Sequence, residues 1–426
     1  MAAQEVRMTP APLTNWSGNI EFATTRRVAP TSIDELREVV AREPRIRAVG
    51  TAHSFNHIAD TDATQISVVE LPSSVVVSDD GTSATVSAGM RYGDVASRLL
   101  EHGVALHNLG SLPHISIAGS CATGTHGSGV RNRGLAGAVR AIELVTASGE
   151  LVTLTRDADS DFHGAVVALG CLGVVTTMTL DVQPAFQMRQ FVYDAMPAAS
   201  VVNHFDEIVE AAYSVSLFTT WRRRDVDQVW VKQRMSDVDS DPDPRWFGAA
   251  LADSPRHPLA GMPVQNCTPQ LGLPGPSHER LPHFRLEFTP SAGEELQSEY
   301  LLPRERAVEA FDALAPIADQ IAPVLQVSEI RTIAADDFWL SPSSGRDSVA
   351  FHFTWVKDDA AVRPVMAAVE ARLAPFDPRP HWGKLFSVEP AAVRERYPKL
   401  ADFRQLAERY DPERKFRNAF VEPFLR

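Results

Sequence analysis

Residues 111–129 read SLPHISIAGSCATGTHGSG. Gly119, Gly124, Gly127 and Gly129, with Gly110 just before, alternate with Ser111, Ser116, Ser120, Thr123, Thr125 and Ser128. So little side-chain bulk makes a poor helix or strand, because glycine loses backbone entropy on ordering and offers nothing to pack. The stretch suits a loop whose amide N–H groups lie bare against an anionic group. A second loop of the same kind, VGTAHSFN, occupies 49–56. Two such loops predict a dinucleotide held between them by its pyrophosphate. The competing reading is a pair of Gly/Ser turns in a large domain, and a histidine in each loop weighs against it. Neither loop carries the G-x-G-x-x-G fingerprint and no amphipathic helix follows the first, so a Rossmann fold is not expected.

A chain of 426 residues is too long for one small core and predicts two or three domains. Its 44% hydrophobic and 22% charged residues are those of an ordinary globular protein. A formal charge of -13 argues against nucleic acid and anionic membranes as partners. Cys121, Cys171 and Cys267 are too far apart for a disulfide framework or a zinc site, so no metal is expected. The N-terminal MAAQEVRMTPAPLTNW lacks a signal-peptide apolar core, and no apolar run approaches a membrane span of ~20 residues. A cytoplasmic protein is expected.

Along the chain, 30–43 reads as a capped helix with Ile33, Leu36, Val39 and Val40 on one face. RIRAVG, ISVVEL, SVVVS and SATVSAG read as strands, YGDVASRLLEHG as a helix, VRAIELVTASGELVTL as a hairpin and LGVVTTMTLDVQP as a strand. Composition shifts after Pro184. A helix over 196–213, strands SVSLFTTW and QVWVKQR, and a Pro/Asp/Gly-rich excursion over 236–282 follow. FRLEFTP, LQVSEIRTIA and SVAFHFTWV read as strands, and 304–322 and 362–376 as amphipathic helices. The sum is an α+β chain whose second part is an antiparallel sheet with flanking helices.

With these elements in hand, the chain resembles the FAD-dependent oxidases of the vanillyl-alcohol oxidase superfamily, and within it the alditol (xylitol) oxidases. The resemblance runs from NWSGN at 15–19 to NAFV at 418–421. It is carried by GTAHSFN, SLPHISIAGSCATGTHGSG, LGCLGVVT, AAYSVSLFT, GLPGPSHERLPHFR, SEYLLPRE, EIRT, HFTW and RPHWGK. The chain departs from the family's pattern at Ala52, where the family has glycine, and at Gly110, in place of a small alanine. The resemblance implies a two-lobed FAD-binding domain from residues 1–184 and 381–426, with a substrate domain, 185–380, inserted between.

It also implies roles. His53 sits where the family attaches FAD covalently, and an imidazole nitrogen is a competent nucleophile for that bond. Gly50, Thr51, Ala52, Ser54, Ser111, Ser116, Gly119, Thr123, Gly124, Thr125, His126, Val175 and His381 are placed as further cofactor contacts. Glu329 and Arg331 alternate by two along a strand and so share a face, as do His352 and Thr354. These four, with Ser111 and Lys384, are the implied polyol contacts, the alternative for Glu329 and Arg331 being a structural ion pair. Arg331 and Lys384 are the implied catalytic cations, stabilising alkoxide character as flavin N5 takes hydride.

The expected activity is oxidation of the terminal hydroxyl of an alditol to the aldose, with O2 reduced to H2O2. Sugar-lactone oxidation is the alternative. A monomer acting on a small polyol is expected. Gly110 leaves a methyl-sized gap for oxygen beside Ser111, unless it only permits a positive φ.

Overall fold

The computed structural model describes residues 13–238, 240–288 and 293–426. The helix Ile33–Arg42 forms where expected: Ser32 caps it, accepting from the Glu35 amide at 3.2 Å, and Leu36, Val39 and Val40 are buried. It packs near a small parallel sheet ordered Arg27–Val28, Thr64–Ile66, Ile46–Ala48. Beside it lies an antiparallel sheet ordered Val75–Val77, Ser83–Ser87, Val174–Asp181, Val139–Val145, Leu151–Thr155. The predicted hairpin turns at Gly149, whose φ of +82° suits glycine.

Residues 187–380 build one ten-stranded sheet. Its centre runs Gln187–Met196, Val226–Arg234, Ser214–Thr219, Leu325–Ile333, Ser348–Trp355, Leu296–Pro303, all antiparallel neighbours. Helices Ala198–Glu210, Ala307–Leu314 and Asp359–Leu373 cover one face and enclose the core. The other face looks toward the two glycine-rich loops.

Four expectations are corrected. Residues 111–129 are not wholly loop: Ile117–Ala122 is a six-residue helix, anchored by the buried Ile117 and Cys121. FRLEFTP is not a strand over its described residues 284–288, and 289 and 290 lie outside the described residues. Phe284 makes only an isolated bridge to Cys267, and the strand forms instead at Leu296–Pro303. The helix over 304–322 breaks into Ala307–Leu314 and Ala318–Ile321 around a 3-10 turn holding Pro316, which has no N–H to continue the ladder. The 236–282 excursion carries three short strands, Arg245–Trp246, Ala249–Leu251 and Gly275–Pro276. Most of the N-terminal stretch read for a signal peptide, 1–12, lies outside the described residues. Among the described residues, no helix is long and apolar enough to cross a membrane and no group of three or more His, Cys, Asp or Glu could hold a metal.

Candidate active site

A cavity of about 560 Å³ separates the loops from the open face of the large sheet. The loops approach each other so closely that a Cβ on Gly50 would collide with Ser116 Oγ. The Ser116 amide donates to Thr51 Oγ1 at 3.2 Å and ties them together. From Gly50 to Ser54 the backbone amides donate to no described backbone carbonyl. Bare amides beside a glycine cradle are what an anionic dinucleotide requires. Ser111, Thr123, Thr125, His126, Val175 and His381 also border this cavity. Gly124 does not. Its φ is +71° and its Cα faces Pro342, so backbone conformation explains that glycine.

His53 lies in the cavity wall with Nδ1 buried and without a hydrogen-bond partner. Burial, helped by His114, pushes its pKa down to about 4, so the imidazole is neutral at pH 7. Ala52 has a φ of +56°, which explains why glycine suits that position.

On the sheet face, Glu299, His352 and Glu329 stand in register on three adjacent strands. Arg331 follows Glu329 by two, as the alternation predicts. Its Nη2 donates to Glu299 Oε1 at 2.7 Å, its Nη1 to Ser111 Oγ at 3.1 Å, and its Nε lies 3.6 Å from Glu329 Oε1. Lys384 arrives from a distant turn, where Asn56 Nδ2 donates to the carbonyls of Trp382 and Lys384 at 2.8 and 2.7 Å. Its Nζ donates to Glu299 Oε2 at 2.7 Å and meets His352 Nδ1 at 2.8 Å. His352 Nε2 then lies 3.0 Å from Thr354 Oγ1.

Electrostatics follow from this geometry. Burial alone would raise the Glu299 carboxyl, but Lys384, His126 and Arg331 outweigh it and hold it well below its ordinary value. Glu329 is likewise held low against burial by Arg331 and His283. Burial lowers Lys384, with Glu299 opposing. Burial and the Lys384 charge hold His352 and His381 far down. Two cations thus share one ionised carboxylate, and the cluster is buried only because every charge is answered.

The sequence reading missed two residues here. Glu299 lies in SEYLLPRE without an assigned role, although a carboxylate inside an apolar strand is itself a signal. His283 Nε2 contacts Glu329 Oε1 at 2.8 Å. The His283 segment is fixed by Lys232, whose Nζ donates to the carbonyls of Arg280, Leu281 and Pro282 at 2.8, 2.6 and 3.0 Å. Burial pushes that lysine down to about 7.

Comparison with known proteins accords with this arrangement. A family described as FAD binding domain matches residues 25–155, and one described as D-arabinono-1,4-lactone oxidase matches 293–424. The chain is 51% identical to alditol oxidase of a Streptomyces species, over 97% of this chain and 99% of that protein. It is 30% identical to L-gulono-1,4-lactone dehydrogenase of Mycobacterium tuberculosis, over 96% of this chain and 98% of that protein. A crystal structure of cholesterol oxidase from B. sterolicum shares the fold, with a TM-score of 0.78 at 14% identity, covering 97% of this chain and 96% of that one. The chain therefore belongs to the alditol oxidase group of the vanillyl-alcohol oxidase family, the FAD-dependent oxidoreductases.

Proposed function

We propose that the protein oxidises the terminal primary hydroxyl of an alditol of xylitol or sorbitol type to the aldose, with O2 as electron acceptor and H2O2 as product. The observation that carries this reading is the convergence of Arg331 and Lys384, from separate parts of the chain, on the buried carboxylate of Glu299. FAD, when bound, supplies the hydride acceptor and the site of oxygen reduction. Arg331 and Lys384 stabilise negative charge developing on the reacting hydroxyl oxygen. Glu299 fixes the spacing of these cations and, ionised, keeps them from repelling one another.

Glu329 accepts from a substrate hydroxyl, while His283 and Arg331 occupy its Oε1. His352, Thr354 and Ser111 add donors and acceptors along the same wall. Such alternation suits a chain of hydroxyls better than an apolar body. The loops hold FAD through Gly50, Thr51, Ser54, Ser116, Gly119, Thr123, Thr125 and His126, with Val175 and His381 beside them and His53 bonded covalently to it. In this reading residues 1–184 and 381–426 form the cofactor lobe and 185–380 the substrate lobe. The protein acts as a cytoplasmic monomer on small molecules, without nucleic-acid or membrane partners.

Sugar-lactone oxidation is the second reading, favoured by the lactone oxidase match over 293–424. An oxygen electrode decides between them. Oxygen uptake with H2O2 release is expected on xylitol and sorbitol and not on γ-lactones. Turnover confined to lactones would overturn the assignment.

A further inference from the structure

The first described residues of the chain clamp the loop that carries His53. The Trp16 amide donates to the Ala52 carbonyl at 2.8 Å. Asn15 Nδ2 donates to the Ser54 carbonyl at 2.9 Å, and Asn19 Nδ2 to the Phe55 carbonyl at 3.0 Å. Carbonyls on both sides of His53 are therefore held by one short segment. The Trp16 indole lies over the His53 imidazole, centroids 5.1 Å apart and planes 20° apart. Phe55 closes on the indole edge-on at 6.4 Å.

We infer that Trp16 is a positioning residue for covalent attachment of FAD: it fixes the plane of the His53 imidazole so that a ring nitrogen addresses the flavin's 8α carbon. The inference rests on the proposal that His53 carries the cofactor. The second side-chain torsion of histidine is broad, and stacking on Trp16 restrains the ring plane beyond what its contact with the Thr51 backbone supplies. Bond formation needs the nitrogen lone pair held in line at contact distance. A stacked aromatic pair supplies that restraint, and the neutral state of the buried imidazole keeps the lone pair free. In the step itself, a C–N bond replaces one C–H bond of the methyl group and the imidazole N–H. Both hydrogens pass to the flavin ring, which is left reduced by two electrons. Oxygen, the acceptor of the proposed reaction, then reoxidises it and leaves as H2O2.

The test compares holoenzyme of wild type, Trp16→Phe, Trp16→Leu and Trp16→Gln, produced in parallel. Total flavin is measured by absorbance, and covalent flavin as the fraction that survives acid precipitation. Wild type should be almost wholly covalent. Trp16→Leu and Trp16→Gln should bind FAD but form the covalent bond roughly five- to ten-fold more slowly when aged in air, the scale of one aromatic pair. Trp16→Phe should restore most of the rate. Either ringless variant alone decides the matter. Wild-type rates in one of them would overturn the role of Trp16. So would loss of total flavin in parallel with covalent flavin in every variant, Trp16→Phe included, which marks a purely structural residue. If wild-type protein releases all its flavin into acid, the His53 assignment fails first and takes this inference with it.

Discussion

The Lys384 ammonium lies 2.8 Å from His352 Nδ1, so His352 accepts there and carries its proton on Nε2, toward Thr354. One lysine thereby sets the tautomer of a cavity-lining histidine while pairing with one oxygen of Glu299. Lys384→Met removes both effects. Flavin reduction by xylitol should slow by roughly 10²-fold or more, the scale of one preorganised electrostatic contact, with flavin content retained. Near-normal reduction in stopped flow would remove Lys384 from the reaction.

His53→Ala should bind FAD that acid extracts completely, whereas wild-type protein should keep its flavin after denaturation and show the added mass of one FAD. Acid-stable flavin in the variant would place the attachment elsewhere.

Acid should destabilise the fold in a defined window. Burial holds His283 at about 4 and His352 and His381 well below their ordinary value. An unfolded histidine titrates near about 6.5. Between those values the unfolded chain binds more protons, so stability falls as pH drops below about 6.5. The depressed Glu299 and Glu329 act in the same direction lower down: their contribution is complete above about 4.3 and lost as pH falls further. Melting temperature should decline as pH falls from about 7 to 5. A level profile across that range would mean that these histidines are not buried neutral.

Ala52→Gly should stabilise. Alanine at a φ of +56° costs about 1–2 kcal/mol, whereas the added freedom of unfolded glycine costs about 0.4–1 kcal/mol, so the balance favours glycine by somewhat under 1 kcal/mol. Thermal unfolding reads the sign. A lower melting temperature would show that the loop does not feel this strain.

Gly110 is not in the left-handed region, which removes positive φ as its reason. A Cβ there would meet Ile115 Cδ1 at 3.6 Å and Leu135 Cδ1 at 3.9 Å, ordinary contacts, so there is room for an added Cβ. Gly110→Val should fill the space beside Ser111 and slow reoxidation by O2 more than reduction. Equal slowing of both half-reactions in a fully flavinylated variant would end the idea of an oxygen path.

Local chemistry was legible. The two loops declare themselves by glycine and hydroxyl content, and the period of two in EIRT and HFTW places Glu329, Arg331, His352 and Thr354 on one face as observed. Glu299 was not legible as the centre of the site, because its partners Arg331 and Lys384 stand 32 and 85 residues away and only the folded sheet brings them together. FRLEFTP misled because alternating aromatic and polar residues imitate a strand. Its Phe284 amide is engaged instead by the Ser111 carbonyl, a tertiary contact outside the reach of local periodicity.

The alternation around Glu299 has a consequence for folding. Gln297 and Glu299 face the cavity, while Leu296, Tyr300 and Leu302 face the helix-covered core. Were this strand to pair one residue out of step, the carboxylate would be driven among Phe311, Phe351 and Val369, and Tyr300 would enter the cleft. An unanswered charge in that core costs several kcal/mol. The ionic cluster thus works as a key for strand alignment: only the correctly paired sheet gives the charge a home, so the residues proposed for chemistry also discriminate against misfolded chains.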